Sequence, residues 1–358
     1  MKAQLKRLCE RLDIWDLVRL LAGHFHRYRH DGLQIIAMTH IFQPRRSSAL
    51  TLGIVNATVL LRRWARMYTY VKWRYISSYA RWKFRQSTTR NTRAPETTVT
   101  FSLLCPSRAR VLSALNLIDS VCRTAAHPEK VEILFYVDAD DPSLTAYQSA
   151  FANAPQRFSR LKRCVLIVGE PKTVSVAWNV LARAATGDIL MMANDDQAYV
   201  DFGWDERAGE ALRHYPDKIV CMFFDAGQYA GYAAGADFPL VTRRWFEVLG
   251  YFAPEMFEFW ANDWWIIDIA VRLGRLHPIK GIRVDHLHYS EYLSLFDETY
   301  KRHHANFDKS TRDFQLWPQT TEQREREVEK LRKAIVDDTE GNTQLEGTPP
   351  TAPAAAVT

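Results

Sequence analysis

The sequence predicts an α/β fold, with a mixed and mostly parallel sheet flanked by helices and with a basic helical arm at the N terminus. Short apolar runs alternate with helical segments from residue 97 onward, as they do in parallel sheets that are covered on both faces. Residues 1–95 hold 19 lysines and arginines against four acidic residues, whereas the rest of the chain holds 28 against 37. We therefore expect four parts: a basic helical arm at 1–95, a domain at 96–310, a C-terminal helix at 311–336 and a disordered tail at 337–358.

The arm mixes tryptophans with arginines, and the run from Ser47 to Gln86 has no proline and one glycine. The run therefore predicts one long helix or a helical hairpin. Three partners fit it: the main domain, an anionic membrane that residues 47–86 would touch through cations and aromatic rings, or a nucleic acid. A nucleic acid is the least favoured of the three.

The cellular location is predicted from what the sequence lacks. No apolar segment reaches the roughly 20 residues that a bilayer span needs, and the N terminus lacks the apolar core of a secretory signal. The five cysteines stand far apart and without a paired motif, which is typical of free thiols in a reducing compartment. We therefore expect a cytoplasmic protein, with a peripheral position at the inner face of the membrane if the arm binds lipid.

Apolar runs and amphipathic periodicity place the elements of the main domain in order. The predicted strands are Val99–Leu104, Val131–Val137, Cys164–Val168, Gly187–Met192, Lys218–Phe224 and Ile279–Val284. The predicted helices are Val111–Cys122, Leu144–Phe151, Val174–Ala185, Arg243–Leu249, Trp264–Leu273 and Arg324–Ile335. The alternation of strand and helix up to residue 192 predicts that the first four strands are parallel.

Polar clusters follow three of these strands. They are Pro106-Ser107-Arg108, the acidic run that begins at Asp138, and Asn194-Asp195-Asp196. Ligands of such sheets bind at the carboxyl ends of the strands, so we expect the three clusters to meet there. Adjacent carboxylates repel each other, and a hard cation such as Mg²⁺ or Mn²⁺ removes that cost. The alternative is that the acidic residues only cap the helices that follow them.

Two further clusters lie later in the chain. Asn262-Asp263 precedes an aromatic-rich helix, where the carboxylate of Asp263 is either a general base or a helix cap. Asp285-His286-Leu287-His288 follows a short strand. Alternation puts the two histidines on opposite faces, so at most one of them is a metal ligand.

The order of these motifs resembles the family 2 glycosyltransferases, which have the GT-A nucleotide-sugar fold. The resemblance covers about residues 97–290 and leaves out the basic arm. It implies an inverting enzyme that moves a sugar from a nucleotide-sugar donor, expected to be a UDP-sugar, to a hydroxyl of a glycan or another acceptor. It also implies Mn²⁺ or Mg²⁺ as the cofactor.

The resemblance assigns roles to individual residues. It implies that Asp263 is the catalytic base and that Asp196 and His286 hold the metal, with His288 as the rival of His286. It implies a nucleotide-sugar site formed by Pro106, Ser107, Arg108, Asp138, Lys172, Asn179, Asn194 and Asp195. With the chemistry that it implies, the segment Gly235–Leu240 is the expected wall of the acceptor pocket, together with Trp260 and Trp264. Two departures from the family pattern are visible: Asn194 replaces the first aspartate of an Asp-x-Asp motif, and Asn262 replaces the glutamate of a Glu-Asp pair.

Two other functions remain alternatives. One is a catalytically dead domain that serves as a scaffold on a membrane or a nucleic acid. The other is a nucleotidyltransferase, which would need a glycine-rich phosphate loop after the first strand, and Cys105–Arg110 contains no glycine. If Asp263 only caps its helix, Asp237 is the next candidate for the base.

Overall fold

Two compact units make up the structure, a computed structural model that describes residues 49–88, 99–225, 238–288, 293–295, 297–305 and 307–346. One unit includes residues up to 77 and residues 286–301, and the other includes residues 78–285 and 302–358. The division falls inside the long N-terminal helix, before the predicted boundary at residue 95. Predictions for residues 1–48, for Asp237 and for the last residues of the tail lie outside the described residues.

Within the described ranges, eight strands form one sheet. They are β1 (Phe101–Pro106), β2 (Val131–Asp138), β3 (Arg163–Gly169), β4 (Ile189–Met192), β5 (Gln197–Tyr199), β6 (Cys221–Asp225), β7 (Leu240–Thr242) and β8 (Leu276–His286). Their order in the sheet is β3-β2-β1-β4-β7-β6-β8-β5. The first four strands in this order are parallel, β7 is antiparallel to both its neighbours, and β8 is parallel to β6. The predicted fold class is therefore confirmed.

The centre of the sheet is buried on both faces because its strands are almost wholly apolar. In β1, Leu103 and Cys105 belong to the core on one face, whereas Leu104 belongs to the core on the other. Gly187 lets the chain enter β4 at this point, since a Cβ atom there would lie 2.5 Å from Ser102 Oγ and 2.8 Å from a backbone carbon of Phe101. Only glycine allows so close an approach to β1.

Helices cover the sheet and continue beyond it. In chain order they are α1 (Ala49–Arg66), α2 (Lys72–Thr88), α3 (Val111–Thr124), α4 (Leu144–Ala152), α5 (Ala154–Arg157), α6 (Val174–Ala184), α7 (Trp204–Leu212), α8 (Arg243–Leu249), α9 (Asn262–Leu273), α10 (Glu298–Ala305), α11 (Phe307–Leu316) and α12 (Thr321–Glu346). A π-helical turn, Met67–Val71, joins α1 to α2. Residues 49–88 are thus one long helix, which is one of the two predicted forms. No helix in the described ranges is both long and apolar enough to cross a membrane.

The C-terminal helix differs from its prediction. It ends at Glu346, whereas the prediction ends it at residue 336 and begins a disordered tail at residue 337. The reason is visible in the sequence, because the first proline of the tail is Pro349 and nothing before it prevents helical hydrogen bonding. Arg244 also pairs with Asp338 at 3.2 Å, which ties the extended part of α12 to α8.

The second half of the long helix packs on the sheet domain from Ser78 onward. Trp82 donates from Nε1 to Glu206 Oε2 at 2.7 Å, and Gln86 donates to the other oxygen of Glu206 at 3.2 Å. Ser78 Oγ accepts from the backbone N–H of Phe202 at 2.9 Å. Since these side chains are four residues apart, they share one face of α2. The predicted packing of the arm on the main domain therefore holds for this part of the helix.

The cysteines within the described ranges are free thiols, as the sequence predicts. Cys105 and Cys221 are fully buried. Burial raises the pKa of the Cys105 thiol, and the nearby carboxylates of Asp195 and Asp196 raise it further. Cys9 lies outside the described residues.

Candidate active site

Strand ends bring the predicted polar clusters together at one edge of the sheet. The parallel strands β1, β2 and β4 lie side by side, so the residues that follow them meet. Ser107 follows β1 and donates from Oγ to Asp195 Oδ2, 2.6 Å away, in the loop after β4. Both residues are buried. The expectation that these clusters meet is therefore correct.

Arg110 lies between the two carboxylates of the β4 loop. Its Nη1 atom is 3.1 Å from Asp195 Oδ1 and 3.6 Å from Asp196 Oδ2. Burial and the charge of Asp196 together raise the pKa of Asp195 to about 6, although Arg110 and Ser107 act in the opposite direction. The single positive charge of Arg110 therefore neutralises only part of the negative charge of the two buried carboxylates.

Tyr147 of α4 holds the loop after β1 in place. Its hydroxyl lies 2.6 Å from Ser107 Oγ and accepts the backbone N–H of Arg110 at 3.0 Å. Because Ser107 gives its single hydroxyl proton to Asp195, the proton between Tyr147 and Ser107 comes from Tyr147. Burial raises the pKa of Tyr147 above its usual value, which keeps this donor protonated.

Arg108 and Arg110 contact different acidic residues: Arg110 contacts those after β4, and Arg108 contacts those at and after the end of β2. Arg108 donates from Nη1 to Asp138 Oδ2 at 2.9 Å and to Asp140 Oδ1 at 2.5 Å. Between the two arginines, Ala109 has a φ of 56°. This left-handed conformation is unfavourable for a residue with a Cβ atom, and a hydrogen bond of 2.9 Å from the Ala109 N–H to Asp141 Oδ2 stabilises it.

The chain after β3 connects this edge to the start of α9. Asp138 Oδ1 accepts the backbone N–H of Lys172 at 3.2 Å. Three residues later, Ser175 Oγ lies 2.7 Å from Asn262 Oδ1 and also contacts the carbonyl oxygen of Phe257, and its single hydroxyl proton goes to one of these two oxygens. Asn262 is buried and is the first residue of α9, and Asp263, the second, is half-buried. The predicted base therefore opens a helix that is fastened to the loop next to Asp138.

Asn179 does not have the geometry that its predicted nucleotide contact requires. Its Oδ1 atom accepts the backbone N–H groups of Phe252 and Ala253 at 2.8 and 2.9 Å. Its Nδ2 atom donates to the carbonyl of Ala253 and to Glu255 Oε1. The amide is fully used within the protein, because the loop between α8 and α9 turns back over α6. Asn179 therefore positions this loop, and we do not retain the nucleotide contact.

The predicted metal ligands are placed as follows. Asp196 is buried beside Asp195. His286 belongs to the other compact unit, where its ring lies 5.2 Å from that of His288, and the ring of His288 lies 5.0 Å from that of Tyr300. In the part of the chain that the structure describes, no three His, Cys, Asp or Glu side chains are grouped so that they could hold a metal ion.

The structure describes some of the residues of the predicted acceptor wall. Trp260 and Trp264 both pack on Phe314 of α11, with ring centroids 5.7 and 5.6 Å apart. Trp260 and Phe314 are exposed. Asp313, which is fully buried, accepts the backbone N–H groups of Phe259 and Trp260 at 2.9 and 3.0 Å and so fixes this cluster. Gly235 lies outside the described residues.

Sequence reasoning missed Arg110 and Tyr147. The signal for Arg110 was available, since it stands two residues after Arg108 in the loop that follows β1. A one-residue spacer in a loop does not show which way either arginine points. Tyr147 gave no signal, because an aromatic residue in an amphipathic helix is most often part of the core.

Residues 102–254 match the sequence model of a family described as glycosyl transferase family 2. The predicted resemblance is thereby confirmed for this segment. Among curated protein sequences, no relative matches this chain.

Solved structures with a similar backbone include three glycosyltransferase-related chains of low identity. TarS residues 1–349 from S. aureus, in complex with UDP, is 11% identical with a TM-score of 0.41, over 52% of this chain and 60% of that one. The mannosyltransferase PcManGT from Pyrobaculum calidifontis, in complex with GDP-Man and Mn²⁺, is 13% identical with a TM-score of 0.43, over 65% and 68%. GalNAc-T7 with UDP, GalNAc and Mn²⁺ is 14% identical with a TM-score of 0.44, over 54% and 44%. This chain therefore spans less than two thirds of the TarS fragment and of GalNAc-T7.

Proposed function

Starting from the match of residues 102–254 to glycosyl transferase family 2, we propose that this chain transfers a sugar from a nucleotide-sugar donor to an acceptor hydroxyl. The observation that carries the proposal is the buried pair Asp195 and Asp196, held at the carboxyl end of β4 by Ser107 and Arg110. A carboxylate pair is costly to bury unless its charge serves a ligand. Its place in the sheet is where such folds bind ligands.

The donor that fits this edge is a nucleoside diphosphate sugar, and we propose a UDP-sugar. Asp138 is the proposed contact for the base or ribose, and its orientation is fixed by Arg108 and by the backbone N–H of Lys172. Arg108 and Arg110 place two guanidinium groups in the loop after β1, and guanidinium groups match phosphate oxygens in geometry and charge. Pro106, Ser107 and Asn194 border the same edge.

A divalent cation, Mn²⁺ or Mg²⁺, is the proposed cofactor. The donor set fits such an ion in part, because cations of this type are commonly held by one or two carboxylates together with substrate phosphates. Asp196 is the proposed protein ligand. When bound, the cation supplies a Lewis acid for the diphosphate leaving group. The role of His286 as a further ligand remains a prediction.

The proposed reaction is a single displacement with inversion. The acceptor oxygen forms a bond to the anomeric carbon while the bond from that carbon to the diphosphate oxygen breaks, and the electron pair leaves with the nucleoside diphosphate. Asp263 takes the proton of the acceptor hydroxyl. Inversion follows from the family resemblance together with the absence of an assigned second nucleophile. The exposed rings of Trp260 and Phe314 are suited to the apolar face of an acceptor sugar.

Isothermal titration of the full chain with UDP, with and without Mn²⁺, tests this proposal. We expect UDP to bind in the presence of Mn²⁺ and to bind much more weakly in its absence. UMP serves as the matched control because it differs from UDP only in lacking the second phosphate. Failure of UDP and other nucleoside diphosphates to bind under either condition would contradict the proposal. Tight binding without turnover of any nucleotide sugar would instead indicate a non-catalytic scaffold.

A further inference from the structure

A row of exposed apolar side chains runs along one face of the long N-terminal helix. This exposed strip consists of Ile54, Leu61, Trp64, Tyr68, Trp73 and Ile76, which are between 43 and 70% exposed. All six belong to the compact unit that includes residues up to 77. Large apolar residues that share a surface in this way mark an interaction site.

On each side of the π-helical turn, helical spacing places the members of the strip on one face of the helix. Leu61 follows Ile54 by seven residues, and Trp64 and Tyr68 follow at three and four, which is the spacing of one α-helical face. Trp64 and Tyr68 are in contact, with ring centroids 4.9 Å apart. Ile76 likewise follows Trp73 by three residues.

The π-helical turn connects the two parts of the strip. Tyr68 and Trp73 are five residues apart, and in an uninterrupted α-helix this spacing would rotate them by about 140° from each other. In a π-helical turn, residue i bonds to residue i+5, so a residue five positions later lies close to the same face. The turn Met67–Val71 begins one residue before Tyr68 and ends two residues before Trp73, so it lies between the two parts of the strip. The extra residue therefore keeps Trp73 and Ile76 in line with Tyr68.

Cations lie beside the strip, and the sequence of the helix itself contains no acidic residue. Residues 49–88 contain eight lysines and arginines and no aspartate or glutamate. Lys72 lies 5.5 Å from the ring of Tyr68, a member of the strip, and Arg66 lies 4.6 Å from the ring of Tyr70. The surface thus combines aromatic and aliphatic groups with positive charge, which is complementary to an anionic lipid headgroup layer above hydrocarbon.

We infer that the exposed strip binds the surface of an anionic lipid bilayer, with the helix lying in the interface, and that the π-helical turn makes the strip one continuous contact. Trp and Tyr rings lie at headgroup depth in such surfaces, and aliphatic side chains enter the acyl region. Ile54, Leu61 and Ile76 favour lipid over a nucleic acid, because an aliphatic side chain neither stacks on a base nor pairs with a phosphate.

Vesicle flotation of the full-length protein tests this inference. We expect binding to phosphatidylcholine vesicles that contain phosphatidylglycerol, little binding to phosphatidylcholine alone, and release by added salt, which screens charges at the surface. The double substitution Trp73→Ala with Ile76→Ala should weaken binding by about tenfold or more, since it removes two large apolar contacts. Binding of UDP should not change in this variant.

A one-residue deletion tests the π-helical turn itself. Deletion of Thr69, an exposed residue of the turn, rotates Trp73 and Ile76 by about 100° around the helix axis and so moves them away from the line of the strip. The deletion removes no residue of the strip and no charged residue. The matched control is Thr69→Ala, which keeps the length. We expect the deletion to lose most of the vesicle affinity and the substitution to keep it, with similar melting temperatures.

Three results would overturn the inference. The first is equal binding to vesicles with and without phosphatidylglycerol. The second is wild-type vesicle affinity in both the Thr69 deletion and the Trp73/Ile76 double variant. The third is tighter binding to a single-stranded oligonucleotide than to vesicles, with the double variant losing both equally, because the surface would then belong to a nucleic acid.

Discussion

Arg110 Nη1 lies 3.1 Å from Asp195 Oδ1, and the same atom lies 3.6 Å from Asp196. One cation therefore faces two carboxylates, and all three side chains are less than a tenth exposed. The negative charge that remains lowers the stability of the folded protein. The same charge is what a divalent cation bound to a phosphate requires from its protein ligands. The consequences of this imbalance can be measured.

The pH dependence of stability should reflect Asp195. Its pKa of about 6 in the folded protein lies above the value of roughly 3.9 expected in the unfolded chain. A raised pKa means that the contribution of this group to stability is fully present below about pH 3.9 and is lost as the pH rises through about 6. Asp195→Asn should therefore be more stable than the wild type at about pH 8, by on the order of 1–3 kcal/mol, and the difference should shrink toward about pH 4.

Urea denaturation of both proteins across this pH range measures the difference. A constant difference between wild type and Asp195→Asn at every pH would show that folding does not raise the pKa of Asp195.

Asp196→Ala should abolish sugar transfer and leave the protein folded. The residue is the proposed ligand of the divalent cation, and the carboxylate that remains, Asp195, already accepts hydrogen bonds from Ser107 and Arg110. Donor turnover, UDP affinity with Mn²⁺ and melting temperature would be measured together. Turnover that persists in this variant in the presence of EDTA would exclude a metal role for Asp196.

Asp263→Asn should reduce transfer by roughly 10²–10⁴ with near-normal melting and UDP binding. Asparagine keeps a side-chain oxygen at the start of α9 but cannot take a proton. The matched control is Asn262→Ala, which removes one of the two oxygens that can accept the Ser175 hydroxyl proton and should cost about 1 kcal/mol of stability. If Asp263→Asn transfers sugar at the wild-type rate, Asp263 only stabilises its helix and the base lies elsewhere, with Asp237 the next candidate.

Asn179→Ala should destabilise the protein by about 1–3 kcal/mol, because the backbone N–H groups of Phe252 and Ala253 lose their acceptor. Asn153, an exposed residue that bonds only within its own helix turn, is the matched control, and Asn153→Ala should change stability little. Chemical denaturation measures both. A variant of Asn179 with normal stability and weakened UDP binding would restore the nucleotide contact that the geometry excludes.

The sheet could be predicted from sequence because its central strands are nearly continuous apolar runs. The runs around Leu103, Ile133 and Leu190 have no period that suits an exposed helix, and each ends in polar residues. The strands β5 and β7 could not be predicted, because three residues are too short for a periodic signal. Their pairing is decided by neighbours in the sheet and not by their own sequence.

The sequence predicts that the strand ends meet at one site, but it does not predict which side chains contact each other there. Ser107, Asp138 and Asp195 lie together because parallel strands share an edge, and topology alone requires it. Asn179 shows the limit, since a polar residue on a helix near a cleft bonds either to a ligand or to a loop. Only the position of the loop at Phe252–Ala253 decides between the two, and that loop comes more than 70 residues later in the chain.

The place of β1 in the sheet has a consequence for how the protein is made. Phe101 pairs with Val131 on one side and with Ile189 on the other, so β1 and β2 can associate long before β4 has left the ribosome. Until then one side of β1 is an open apolar edge, of the kind that joins other chains. Because the strand that closes this edge leads directly into Asp195 and Asp196, a nascent chain gains its acidic pair and its protection from aggregation in the same step.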